Sequence, residues 1–289
     1  MLYRNLIGIA IISLCLSVAC EAAAASDDGR YPDLKGQWSR FNVPGVGGQP
    51  SYDQTKLWGL GQQAPLIPEY QARAEASVAD QAAGGQGGDG GFACRPYGMP
   101  RMMNAYSVIE LIVMPETTYI LINSEDHGRR IFTDSRDWPN EIDIAFQGYS
   151  IGKWIDENGD GRYNVLEAET RGFKGPRTYD ATGLPLHLDN QSLFKERIYL
   201  DKADPNLLHD EITVFDHALT RPWSTDKKFR RSSNPRPNWH ENFCTENNNH
   251  VVIGRDMYML SADGRLMPAR KGQPAPDLGY FKPSSSTPR

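Results

Sequence analysis

The chain has 289 residues and a formal net charge of −5. That mildly acidic balance argues against a surface built to neutralise phosphates, so nucleic acid is not an expected partner. With 27 glycines and 20 prolines the chain is rich in turns, yet it lacks the strict glycine period of collagen.

Arg4 provides a short positive start, residues 6–18 are almost wholly apolar, and four alanines occupy 22–25. This order predicts a cleavable signal peptide over residues 1–25 and a mature chain in the periplasm or secreted. The apolar run falls short of the ~20 residues of a spanning helix, so no membrane span is expected after cleavage. Cys20 also admits a lipoprotein anchor, but Ser17 is a poor residue three positions before it, and plain cleavage is the expectation.

Cleavage leaves Cys94 and Cys244. In an oxidising compartment two cysteines most simply form a disulfide. The alternative, a catalytic thiol, needs a nearby base.

Residues 26–93 read as an irregular Gly/Pro-rich segment with one short helix. The helix starts at Pro68, with Glu69 in its first turn, and runs to Ala83. Six glycines within 84–91 then read as a flexible connector. Gly36-Gln37-Trp38 resembles the G-x-W opening of lipocalin-type barrels.

From residue 94 short β-branched and aromatic runs alternate with turn signals. Strands are predicted at 108–114, 117–123, 129–133, 149–155, 163–170, 193–200, 211–216, around Phe229, at 239–244 and at 251–260. This spacing predicts a mainly β fold: an antiparallel barrel or strongly curved sheet from about 94 to 260, within an antiparallel β domain over 94–280, with a flexible tail at 281–289.

Several residues carry possible chemistry. Asp156, Asn158, Asp160, Asn164 and Glu167 follow the spacing of a calcium loop, with Gly161 at the sharp turn. The strand-like flanks equally admit a polar hairpin turn. Calcium is the one metal expected, and no other cofactor. His187 near Asp189 fits a general base with its orienting acid, and equally a loop histidine followed by an Asx turn. Glu196 alternates with Phe194 and Ile198, and Glu110 with Val108 and Ile112. Both acids therefore read as inward-facing, with Arg101 and Arg130 as partners, or else as structural ion pairs. The basic run 227–236 reads as a solvated strand face.

The octet Cys94-Arg-Pro-Tyr-Gly98-Met99-Pro100-Arg101, with Arg129-Arg130 and Ser150-Ile-Gly152-Lys-Trp154, resembles a family of exported proteobacterial proteins of uncharacterised function. Asp189-Asn190, Glu196-Arg197, Thr220 to Trp223 and Cys244 to Glu246 are similar to later blocks of that family. The resemblance implies a lipocalin-like β domain and transfers no catalytic residue. The acidic turn after Trp154 is longer than in many relatives.

The leading expectation is an exported barrel binding a small apolar or aromatic molecule in its mouth, with Arg101, Arg130, Glu110 and Glu196 as polar contacts. One alternative is a cofactor-independent lyase, isomerase or hydrolase using His187, Asp189 and Arg130. Another is a calcium-stabilised structural or interaction module.

Overall fold

A computed structural model describes residues 29–40, 64–104, 108–123, 128–239, 244, 249–253 and 256–277. The signal segment, Cys20, the tail and most of the expected strand at 239–244 lie outside the described residues. No helix among the described residues is long and apolar enough to cross a membrane.

Nine strands close into a barrel in chain order: β1 (Gln37–Arg40), β2 (Ile109–Val113), β3 (Thr117–Ile122), β4 (Arg129–Phe132), β5 (Tyr149–Ile155), β6 (Val165–Arg171), β7 (Leu193–Leu200), β8 (Leu207–Phe215) and β9 (Trp223–Arg231). Closure comes from the N-terminal segment. β1 pairs β2 on one side and β9 on the other, so Trp38 stands opposite both Ile109 and Arg231. Trp38 is fully buried; its indole N–H donates to the Leu34 carbonyl at 3.0 Å, and the Arg231 guanidinium lies 4.3 Å from its ring centre. Gly36 ahead of it has φ +91°, a conformation that side chains disfavour.

The expected wholly antiparallel sheet is corrected at one place: β4 and β5 pair in parallel, Ile131 beside Ser150. Residues 133–148 make the crossover that a parallel pair requires. Gly152 sits at this contact, where a Cβ would come within 2.7 Å of Ile131 and of the Glu167 carbonyl.

The barrel core holds Ile109, Leu111, Ile120, Ile122, Ile131, Leu166, Phe194, Ile198, Leu208, Ile212, Val214 and Phe229. They occupy alternate positions, as inward faces of strands must. Three further strands, β10 (His250–Ile253), β11 (Asp256–Leu260) and β12 (Leu266–Pro268), form a separate antiparallel sheet. The barrel itself therefore begins at Gln37 and ends at Arg231, rather than running from about 94 to 260.

Helix α1 (Pro68–Ala82) buries Tyr70, Ala74 and Ser77. The glycine run after it packs back on the helix. Gly85 N–H donates to the Asp80 carbonyl at 2.8 Å, Gly87 N–H to Asp80 Oδ2 at 2.8 Å, and Gly88 N–H to Ser77 Oγ at 2.8 Å. The glycines permit this close approach, since a Cβ on Gly85 or Gly87 would strike Asp80 or Ser77. Cys94 and Cys244 form the disulfide, Cα atoms 5.6 Å apart and 150 positions apart in the chain.

Candidate functional site

Charged side chains cross the middle of the barrel. Arg129 and Glu196 are buried and paired: Nη1 donates to Oε1 at 2.7 Å and Nη2 donates to Oε2. Arg129 Nη2 also donates to Thr170 Oγ1 at 2.9 Å, and Ser150 and Thr170 share a hydroxyl bond at 2.8 Å. Burial alone would lower the Arg129 pKa, but Glu196 outweighs it and holds the guanidinium charged.

Next to this pair, Asp210 on β8 faces Lys227 on β9 as its direct cross-strand neighbour. Both are buried, yet among the described residues neither the carboxylate oxygens nor Nζ has a hydrogen-bond partner. Burial, reinforced by Glu196, pushes the Asp210 carboxyl well above its usual range. Burial together with Arg40 pulls the Lys227 ammonium down to about 7. Lys227 Nζ stands 4.9 Å from the Tyr179 ring centre, and the Tyr179 hydroxyl bonds Thr225. Asp210 escapes notice in the sequence because it stands between His209 and Glu211, and Lys227 because it stands between Asp226 and Lys228. The one available signal is alternation: Leu208, Asp210, Ile212 and Val214 share a face, as do Trp223, Thr225, Lys227 and Phe229.

The expected partners are corrected in three places. Glu196 pairs with Arg129, not with Arg101 or Arg130. Arg130 alternates outward and lies over the outer face of Tyr119, 5.8 Å from its ring centre. Arg101 is buried against Asp89 and stacks 3.8 Å from the Tyr97 ring centre. Glu110 also leaves the interior, because Ile109 and Leu111, not its neighbours Val108 and Ile112, point inward. Nor is Lys227 part of a solvated face.

His187 and Asp189 do meet, Nδ1 to Oδ1 at 2.9 Å, but on a half-exposed turn at the α1 end of the barrel. His217 joins them from the turn after β8, Nδ1 to Asp189 Oδ2 at 2.6 Å. Burial would raise the Asp189 pKa, but the Gln191 N–H and the two imidazoles bring it down to about 2. Arg130 is on β4, away from this turn. The arginine whose charge reaches Asp189 is Arg177, which bonds Ser192 Oγ at 2.7 Å and is itself lowered to about 10 by burial.

In the β5–β6 turn, the acidic residues serve the chain's own backbone. Asp156 accepts the N–H groups of Gly159 at 2.7 Å, Asp160 at 3.3 Å and Gly161 at 2.8 Å. Asn164 accepts from Glu157 N–H at 2.8 Å and Asp160 from Arg162 N–H at 2.9 Å. Glu167 lies on β6 and pairs with Lys153 at 3.3 Å. Asn158 lines a neighbouring groove. Among the described residues, the His/Cys/Asp/Glu group with mutually close ligand atoms is His187, Asp189 and His217, not these acids.

That groove, about 1000 Å³, opens at the barrel end opposite α1. Tyr31, Leu34, Leu111, Ile112, Val113, Met114 and Tyr163 make its apolar walls; Lys35, Glu116, Asp160 and Arg162 stand among its polar residues. Tyr31 packs edge-on to Trp154, ring centres 5.5 Å apart, and against Tyr163 at 5.2 Å. No family model matches the chain, and no curated protein matches it.

Proposed function

We propose that this protein is an exported barrel that binds a small apolar or aromatic molecule at its mouth. The carrying observation is the groove between the segment 29–35 and β2, with tyrosine and aliphatic walls and a few polar groups. Its volume is at the upper end of the range for small-molecule sites, about 300–1,000 Å³, and its apolar walls stand beside charged and amide side chains that can fix orientation. Export is supported by the signal-like N-terminus and by the disulfide. The polar contacts differ from those expected from sequence: Lys35 and Arg162 replace Arg101 and Arg130.

Thermal-shift screening with phenolics, fatty acids and terpenoids tests the reading. A ligand of one class should raise Tm with concentration, as mass action requires. Ile112→Arg places a charge on an exposed wall of the groove and should abolish that shift, while the Tm without ligand changes little. No stabilisation by any class, or a shift that survives Ile112→Arg, overturns it.

A further inference from the structure

The turn before β7 carries His187 and Asp189, and the turn between β8 and β9 carries His217. One ligand atom from each lies within 4.8 Å of the other two. Asp189 places Oδ1 2.9 Å from His187 Nδ1 and Oδ2 2.6 Å from His217 Nδ1. The Asp189 backbone N–H also donates to His187 Nδ1, at 3.2 Å. In the tautomer that accepts this bond, Nδ1 turns a lone pair toward Asp189 and can share a metal ion with it; in the other tautomer its own hydrogen bridges to the carboxylate.

The two turns are held together from below. Asp216 Oδ1 accepts the backbone N–H of His187 at 2.9 Å and of Ala218 at 2.8 Å, and its Oδ2 accepts the Ser192 hydroxyl. One carboxylate thus fixes both backbones that carry the histidines. Tyr70 on α1 packs against the His187 ring, centres 5.2 Å apart, and its hydroxyl accepts the Leu188 N–H at 3.2 Å. Ligands held by neighbours in this way are oriented before an ion arrives. The His217 side chain is 65 % exposed and has room to adjust. The adjustment is small: metal–ligand bonds of about 2.0–2.1 Å put tetrahedral ligands roughly 3.3 Å apart.

We propose that His187, Asp189 and His217 bind a divalent transition-metal ion of the zinc class. Two imidazoles and one carboxylate suit zinc and its neighbours, whereas calcium and magnesium prefer oxygen ligands. Three protein ligands leave a fourth position to water or a small anion. The site lies at the α1 end of the barrel, away from the mouth groove, so it stands or falls independently of ligand binding there.

The test uses the chelator-stripped chain. Calorimetric titration with Zn²⁺ should show one ion per chain with micromolar affinity. Co²⁺ should give the visible absorption of a four- or five-coordinate site. His217→Ala removes an exposed ligand, so the metal-free Tm should hold while zinc affinity falls by more than the roughly 10–100-fold typical of outer-shell changes. Asp216→Asn should weaken binding within that outer-shell range, and His250→Ala, on the separate sheet, should leave it unchanged. Lack of saturable zinc binding at sub-millimolar concentration overturns the proposal, since the three side chains then hold one another only by hydrogen bonds. An isotherm that His217→Ala leaves unchanged overturns it equally.

Discussion

Glu196→Gln would leave Arg129 charged in the barrel with half of its ion pair gone. Removing one partner of a buried pair typically costs about 3–5 kcal/mol, because the remaining charge is uncompensated. Urea unfolding should show that loss, and replacing Arg129 by Met and Glu196 by Leu together should recover most of it. Lys227 yields a pH prediction. Its folded-state pKa of about 7 lies below the ordinary 10.5. Between those values the unfolded chain holds more protons, so stability rises with pH, by at most about 1.4 kcal/mol per pH unit. Lys227→Met should flatten that rise and stabilise the fold below pH 7. Asp210 acts with the opposite sign: its raised pKa gives stability that is present in acid and lost as pH climbs through the folded value. Asp210→Asn should remove that loss. Stability measured from pH 4 to 10 on both variants separates the two groups.

At the scale of single elements, the β5–β6 turn is the clearest case of a spacing that admits two structures. Asp156 satisfies three backbone N–H groups of the turn. Its loss resembles the loss of a helix cap, since it leaves those N–H groups without their acceptor. Asp156→Ala should lower Tm by the same amount in chelator and in millimolar calcium; a loss seen only with calcium would support the metal reading instead. Strand β2 shows a different ambiguity. Its residues are apolar on both faces apart from Glu110, so the period of two leaves the inward face undecided, and a one-residue change of parity swaps every side chain. Pairing of Ile109 with both Trp38 and Ile122 decides it. Strand β7 is the converse: Lys195 and Arg197 alternate with Phe194, Glu196 and Ile198, so its inward face is legible from sequence.

Across the whole molecule, closure rests on a four-residue strand from the N-terminal segment, β1. Without it, β2 and β9 would each present an unpaired edge. The disulfide constrains the chain at long range, linking Cys94, ahead of β2, with Cys244, beyond β9. A cross-link over so long a loop contributes about 2–4 kcal/mol, in part by restricting the unfolded chain. Reduction should therefore lower Tm while the far-UV spectrum of the folded state stays strand-dominated. Loss of the β spectrum at room temperature on reduction would show that the barrel depends on the link outright.

The sequence by itself determined the β class, most strand positions, the helix start at Pro68 and the Cys94–Cys244 pair. Those features rest on local signals: alternation, turn residues, a proline at a helix start and a cysteine count. Only the tertiary structure decided which residues meet. Arg129 rather than its neighbour Arg130 reaches Glu196, because parity on β4 is set by pairing with β3 and β5. Lys227 and Asp210 become interior residues only when β8 and β9 align. His217 joins His187 and Asp189 across 28 positions, because two turns at one barrel end share the Asp216 carboxylate. Such contacts depend on strand register and barrel closure, which are set by long-range pairing and leave no mark in any short stretch of sequence.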